Sequence, residues 1–387
     1  MAAYRPLWRG LTVAVALAAA ACGESNGPQP QLQDPQQLSS DLQTVSAVLA
    51  TPVFQSFGVI GTAVGSPVAS TAPAGALLSA TRVPAPPGPR PAYVDAAARV
   101  RALQVAATAL TSSISASVIP DTDLAKTFEF DVNTHKYVVG SDPGPSTGVR
   151  IILYAIDPIT EQIVESSLTP VGFVDLLDES SGNTNQLHVI VKSGTAASPG
   201  ATYVDYSIGA TVTPNDTGLA SAFQATVPGY LSDGTRTLDF AASFSATNLD
   251  TDNPDAHIDV TWDLDAPAVG VTLDETFATA NASQVTVTVD FGVARGGETV
   301  RLGGTVAADL SLETETADLT VYVNDEVFAR ITGSATATTN DVRIVHADGT
   351  ALSQVERAAV ADLFQLPDDI FDALDHLISP AENLMGA

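Results

Sequence analysis

This 387-residue chain has one cysteine, Cys22, so no intramolecular disulfide can form and stability has to come from burial. It also has only three lysines (Lys126, Lys136 and Lys192), and its 16 basic residues face 44 acidic ones, a formal net charge of -28. A polyanion is repelled by phosphate, which excludes nucleic acid as a partner and argues against adsorption on an anionic bilayer through a basic face. The longest N-terminal apolar run, Leu11 to Ala21, falls short of the ~20 residues of a spanning helix. No sequence repeat of fixed period is present.

Recognisable catalytic spacing is missing as well. Gly23-Glu24-Ser25-Asn26-Gly27 has the spacing of a hydrolase nucleophile elbow but no strand before it and no helix after it. Asp290-Phe291-Gly292 matches a kinase triplet, yet it merely continues an alternating strand. The five histidines (His135, His188, His257, His346 and His376) lie far apart without zinc-site spacing, and are expected on wet strand faces, in turns or at a helix end. The reading is therefore non-catalytic, with no cofactor implied. The best metal candidate is the calcium-type loop Asp250-Thr251-Asp252-Asn253-Pro254-Asp255. Asp250, Asp252 and Asp255 offer alternating oxygens, but Pro254 and Asp255 stand where a helix-loop-helix calcium site needs an oxygen ligand and a glycine. An acidic hairpin turn is the expected role.

What is present begins with an export signal: Arg5 and Arg9 without an acid, then the alanine-rich apolar run. Ala19, Ala20 and Ala21 precede Cys22, and Gly23 follows it. Over its first 25 residues or so the chain resembles the bacterial lipoproteins, whose mature chain starts at a diacylated cysteine. That resemblance implies a signal peptide over 1–21, lipidation of Cys22, attachment to a membrane of the cell envelope through acyl chains, and a Pro/Gln-rich stalk over 22–39.

Beyond the stalk, apolar spacing predicts short helices over 40–62, and a Pro/Ala-rich linker follows over 63–94. Residues 95–352 read as an antiparallel β domain, opened by a helix over Asp95–Leu110, with strands from about Lys126 to His346. In HIDVTWDLD, Ile258, Val260, Trp262 and Leu264 point one way and the polar residues the other; TLDFAASFSA, VTVTVDF and LTVYV alternate in the same manner. One dry and one wet face per strand is the antiparallel signature. Turn pairs, including Asp233-Gly234, Gly296-Gly297, Asn324-Asp325 and Asp348-Gly349, separate a dozen or more strands.

A capping box at Ser353-Gln354-Val355-Glu356 opens a C-terminal helix pair over 353–387, with Leu366-Pro367 expected to divide it. Its apolar stripe needs a sheet to cover. The predicted fold is mainly β, a large curved antiparallel sheet, half-barrel-like, with terminal helices packed on it; a β-sandwich is the alternative. Two partner classes follow: an envelope protein docking on a scaffold, or an apolar ligand carried between sheet and helices.

Overall fold

The computed structural model describes residues 31–37, 40, 57, 68 and 117–385, apart from 158, 161, 252, 282, 310, 313, 337, 338 and 340. The expected signal peptide, Cys22, all of the short helices expected over 40–62 except residues 40 and 57, and the helix expected over 95–110 lie outside the described residues.

Fifteen strands form one sheet. They are β1 (Lys126–Asp131), β2 (Lys136–Pro143), β3 (Gly148–Tyr154), β4 (Pro170–Asp178), β5 (Thr184–Thr195), β6 (Ser198–Pro214), β7 (Ala220–Ser232) and β8 (Thr237–Thr247). The meander continues through β9 (Asp255–Asp265), β10 (Ala268–Asn281), β11 (Gln284–Arg295), β12 (Glu298–Asp309), β13 (Thr314–Val323), β14 (Glu326–Thr336) and β15 (Arg343–His346). Neighbours pair in sequence order from β15 to β3, with β1 and then β2 at the far edge. Every described pair is antiparallel except β1–β3, which is parallel because the β1–β2 hairpin lies with β1 inward.

The alternation read from sequence is the burial pattern observed. On β9, Ala256, Ile258, Val260, Trp262 and Leu264 are buried; on β8, so are Leu238, Phe240, Ala242, Phe244 and Ala246. The turns follow their residues. Gly296 and Gly297 have φ of 52° and 84°, and Asn324 and Asp325 have 52° and 67°, so both two-residue loops take the left-handed pair that lets a hairpin keep its strand twist. The β2 edge is blunted by a bulge against β1 and ends at Pro143, devices that discourage pairing with other chains.

The sheet is open, with β2 and β15 at its two edges. Helix α1 (Gln354–Met385) covers its apolar face: Ala359, Val360, Leu363, Leu377, Ile378, Ala381 and Leu384 join one cluster with inward side chains of β1 through β14. Laid flat, fifteen strands would extend roughly 70 Å sideways, far wider than a helix of about 10 Å, so only a curled sheet brings these faces into one core. This is the curved sheet predicted, and not the sandwich.

Three expectations change. The C-terminal pair over 353–387 is a single helix that continues through Pro367. An interior proline removes a hydrogen bond and costs about 3 kcal/mol; here the apolar residues buried on both sides of it outweigh the break. The capping box holds: Ser353 N donates to Glu356 Oε2 at 2.8 Å and Glu356 N to Ser353 Oγ at 3.3 Å. The stalk over 22–39 is not free throughout, since Leu32 is buried and residues 33 and 34 bind the β11–β12 turn. Within the linker over 63–94, Val68 is buried and its N–H donates to the Leu384 carbonyl at 3.4 Å.

Candidate functional site

The outer face of β5 and β6 carries a cluster of charged side chains. The β4–β5 turn brings Glu179 beside β5, so that His188 lies between two carboxylates: Nδ1 is 3.0 Å from Glu179 Oε1 and Nε2 is 2.7 Å from Asp205 Oδ1. Burial alone would lower the His188 pKa, but the hydrogen bonds and charges of Asp205 and Glu179 prevail and raise it. Ser207 stands directly across the ladder from His188, which gives the composition of a Ser-His-Asp triad. The geometry does not give its chemistry. Both ring nitrogens are engaged by carboxylates that favour the imidazolium, so no lone pair is left to take the Ser207 proton.

Because folding raises the pKa of His188, its stabilisation is complete below the unfolded value of about 6.5 and is lost as pH rises through the folded value. His188→Gln is therefore expected to destabilise the protein more at pH 6 than at pH 9. Thermal melts of both proteins across that range check this, and a pH-independent difference would refute it.

Next to this cluster, a shallow groove of about 280 Å³ crosses the outer face of β5, β6 and β7, lined by Thr184, Gln186, Ser207, Gly209, Gln224 and Thr226. Thr184 also lines a second cleft of about 400 Å³ at the β4–β5 end, with Ser146, Thr147, Ser180, Ser181 and Asp178. Asp178 organises that end. It accepts from the Ser117 hydroxyl, from Ile119 N at 3.2 Å and from Ser180 N at 3.0 Å, fastening residues 117–119 to the sheet. Burial opposes its ionisation, but these hydrogen bonds prevail and lower its pKa. The linings carry hydroxyls and amides together with the Asp178 carboxylate, groups suited to hydrogen bonding.

Of the residues singled out in the sequence, Asp250 and Asp255 are described, and each hydrogen-bonds to separate partners. Cys22 and Asp252 lie outside the described residues. Asp250 Oδ2 accepts from Asn215 Nδ2 at 2.9 Å, and Asp255 accepts from Asn248 Nδ2 at 3.1 Å and from Thr279 N at 3.2 Å. Those oxygens tie neighbouring turns together. Among the described residues, no set of three or more His, Cys, Asp or Glu side chains is placed to hold a metal ion.

Four of the five histidines, His135, His188, His257 and His346, lie on strands or in turns, as expected, while His376 falls inside α1 and not at a helix end. His257 is 3.0 Å from Asp274, His135 2.7 Å from Glu165 and His346 3.5 Å from Glu356, each a cationic partner in an acidic protein when protonated. Sequence reasoning missed the His188 cluster. Its members are 9 and 17 residues apart on three segments, and only strand register could have joined them.

No helix among the described residues is long and apolar enough to cross a membrane. No protein-family model matches this chain, and no curated protein or solved structure matches it.

Proposed function

We propose that the chain is a lipid-anchored protein of the bacterial cell envelope whose β domain serves as a non-catalytic interaction or scaffold module. The observation that carries the scaffold part is the filling of the sheet's apolar face. Leu363, Leu377, Ile378, Ala381 and Leu384 are fully or almost fully buried there, and the buried Tyr206 hydroxyl donates to the Leu377 carbonyl at 2.6 Å. A helix locked by burial and by a buried hydrogen bond behaves as core and not as a lid. The polar outer face and its groove then form the surface offered to partners.

Anchoring rests on Cys22 and the alanines before it. Cys22→Ser is expected to leave cleavage possible at the overlapping Ala-x-Ala site while moving the protein from the membrane fraction to the soluble one. Fractionation and immunoblotting read this directly, and continued membrane retention of the serine variant would overturn the anchor.

A carrier of an apolar ligand is the second reading, and one observation favours it. The Trp262 indole N–H is buried on the inner face and has no hydrogen-bond partner among the described residues, a cost that a ligand acceptor would relieve. Native mass spectrometry separates the two readings, since a carrier co-purifies with a lipid-sized mass. A cryptic hydrolase ranks third, because His188, the histidine nearest to a triad, is held by Glu179 and Asp205 in an ion-pair cluster.

A further inference from the structure

Gln33 and Asp34 are held to the sheet by buried groups. Gln33 N donates to Glu298 Oε1 at 2.8 Å, while Arg295 Nη2 donates to the Asp34 carbonyl at 2.7 Å and to Glu298 Oε2 at 3.0 Å. The Glu298 side chain is 2% exposed and that of Arg295 9%. Asp34 then caps a helical turn that begins at Pro35, its Oδ1 accepting from Gln37 N at 2.9 Å. Main chain on both sides of one peptide unit is thus clasped against the Gly296–Gly297 turn.

That turn lies on one rim of the sheet. Strand directions put the β5–β6, β7–β8, β9–β10 and β13–β14 turns and the β3–β4 connection on the same rim. The β4–β5, β6–β7, β8–β9, β10–β11 and β12–β13 turns form the opposite rim. Cys22 precedes Leu32 by ten residues, a length of chain that spans at most ~36 Å in any conformation. The twelve-residue β11 is itself about 40 Å long.

We infer that the Gly296–Gly297 rim faces the bilayer, and that the opposite rim, with Leu219, Leu312 and the Asp250 turn, is presented away from the membrane. This rests on acylation of Cys22. The clasp fixes one rim within reach of the acyl chains, while the other lies a strand length further along the same rigid sheet. Exposed apolar side chains do not choose between the rims, because Ile159 is 90% exposed on the clasped one and Leu312 68% exposed on the other. Net charge does not choose either, since the domain is acidic throughout; the tether point decides.

Ile159 and Leu312 serve as matched probe positions. Full-length protein carrying Ile159→Cys or Leu312→Cys is labelled with a donor fluorophore and reconstituted in phosphatidylcholine vesicles containing phosphatidylethanolamine with an acceptor on its headgroup. Energy transfer to the bilayer surface is expected to be several-fold stronger from position 159. A Gly/Ser segment of ~30 residues inserted between Gly27 and Pro28, away from the clasp, is expected to erase most of the difference. Equal transfer from the two positions in vesicle-bound protein, or stronger transfer from 312, overturns the orientation. Failure of the anchor itself looks different: the protein does not stay with the vesicles, and Cys22 takes up label in the protein without introduced cysteines.

Discussion

Leu377→Ala is expected to lower the free energy of unfolding by about 2–5 kcal/mol, the cost of lost burial plus the cavity left behind. Leu377 is completely buried where α1 meets the sheet, and its carbonyl accepts the hydrogen bond from Tyr206. Surrounding side chains anchored on β strands cannot collapse into the space, so the upper half of that range is the better expectation. Val355→Ala, at a position 42% exposed on the same helix, is expected to stay within about 0.5 kcal/mol of the parent. Urea unfolding of both variants reads the comparison. A mild Leu377→Ala phenotype would mean that α1 rests on the sheet as a movable cover, and would favour the ligand-carrier reading.

Glu298→Ala should be damaging for a different reason. It leaves Arg295 buried without its carboxylate and removes the acceptor of Gln33 N, and breaking a buried pair from one side costs about 3–5 kcal/mol. Replacing both partners with apolar residues, as in Arg295→Met with Glu298→Leu, is expected to recover much of that loss, since neither charge then remains to be desolvated. Limited proteolysis adds a local readout: Glu298→Ala should make residues 31–37 more readily cleaved than in the parent. Equal cleavage together with unchanged urea midpoints would show that the clasp does not hold the N-terminal segment.

Much of the architecture could be read in the sequence because period-two alternation reports a physical asymmetry. A strand with one dry face and one wet face belongs to a sheet covered on one side, and Ile258, Val260, Trp262 and Leu264 show that asymmetry without any knowledge of their neighbours. The hairpins could be read for a similar reason, because Gly296-Gly297 and Asn324-Asp325 accept positive φ at low cost. The capping box at Ser353 is local too, both of its hydrogen bonds joining residues three apart.

Where the reading went astray, a distant contact outweighed a local signal. Pro367 is a strong helix breaker, and an isolated chain would obey it; α1 runs through because its buried residues on either side pack on one continuous core. The Pro/Gln-rich segment before residue 39 has the composition of a free linker, yet Gln33 and Asp34 meet Glu298 and Arg295 more than 260 residues later in the chain. The same holds for the candidate site. Glu179, His188 and Asp205 carry no motif, and only the register of β5 on β6 and the turn before β5 bring them together.

The sequence alone determined the acidity, the lack of disulfides, the one-sided strands and the turn positions, because each depends on residue type or on neighbours a few residues apart. The tertiary structure alone decided that the sheet curls around one unbroken helix, that His188 is held between two carboxylates, and that the N-terminal segment is clasped at one rim. Those depend on burial and on charges meeting across long stretches of chain, which no short window of sequence contains.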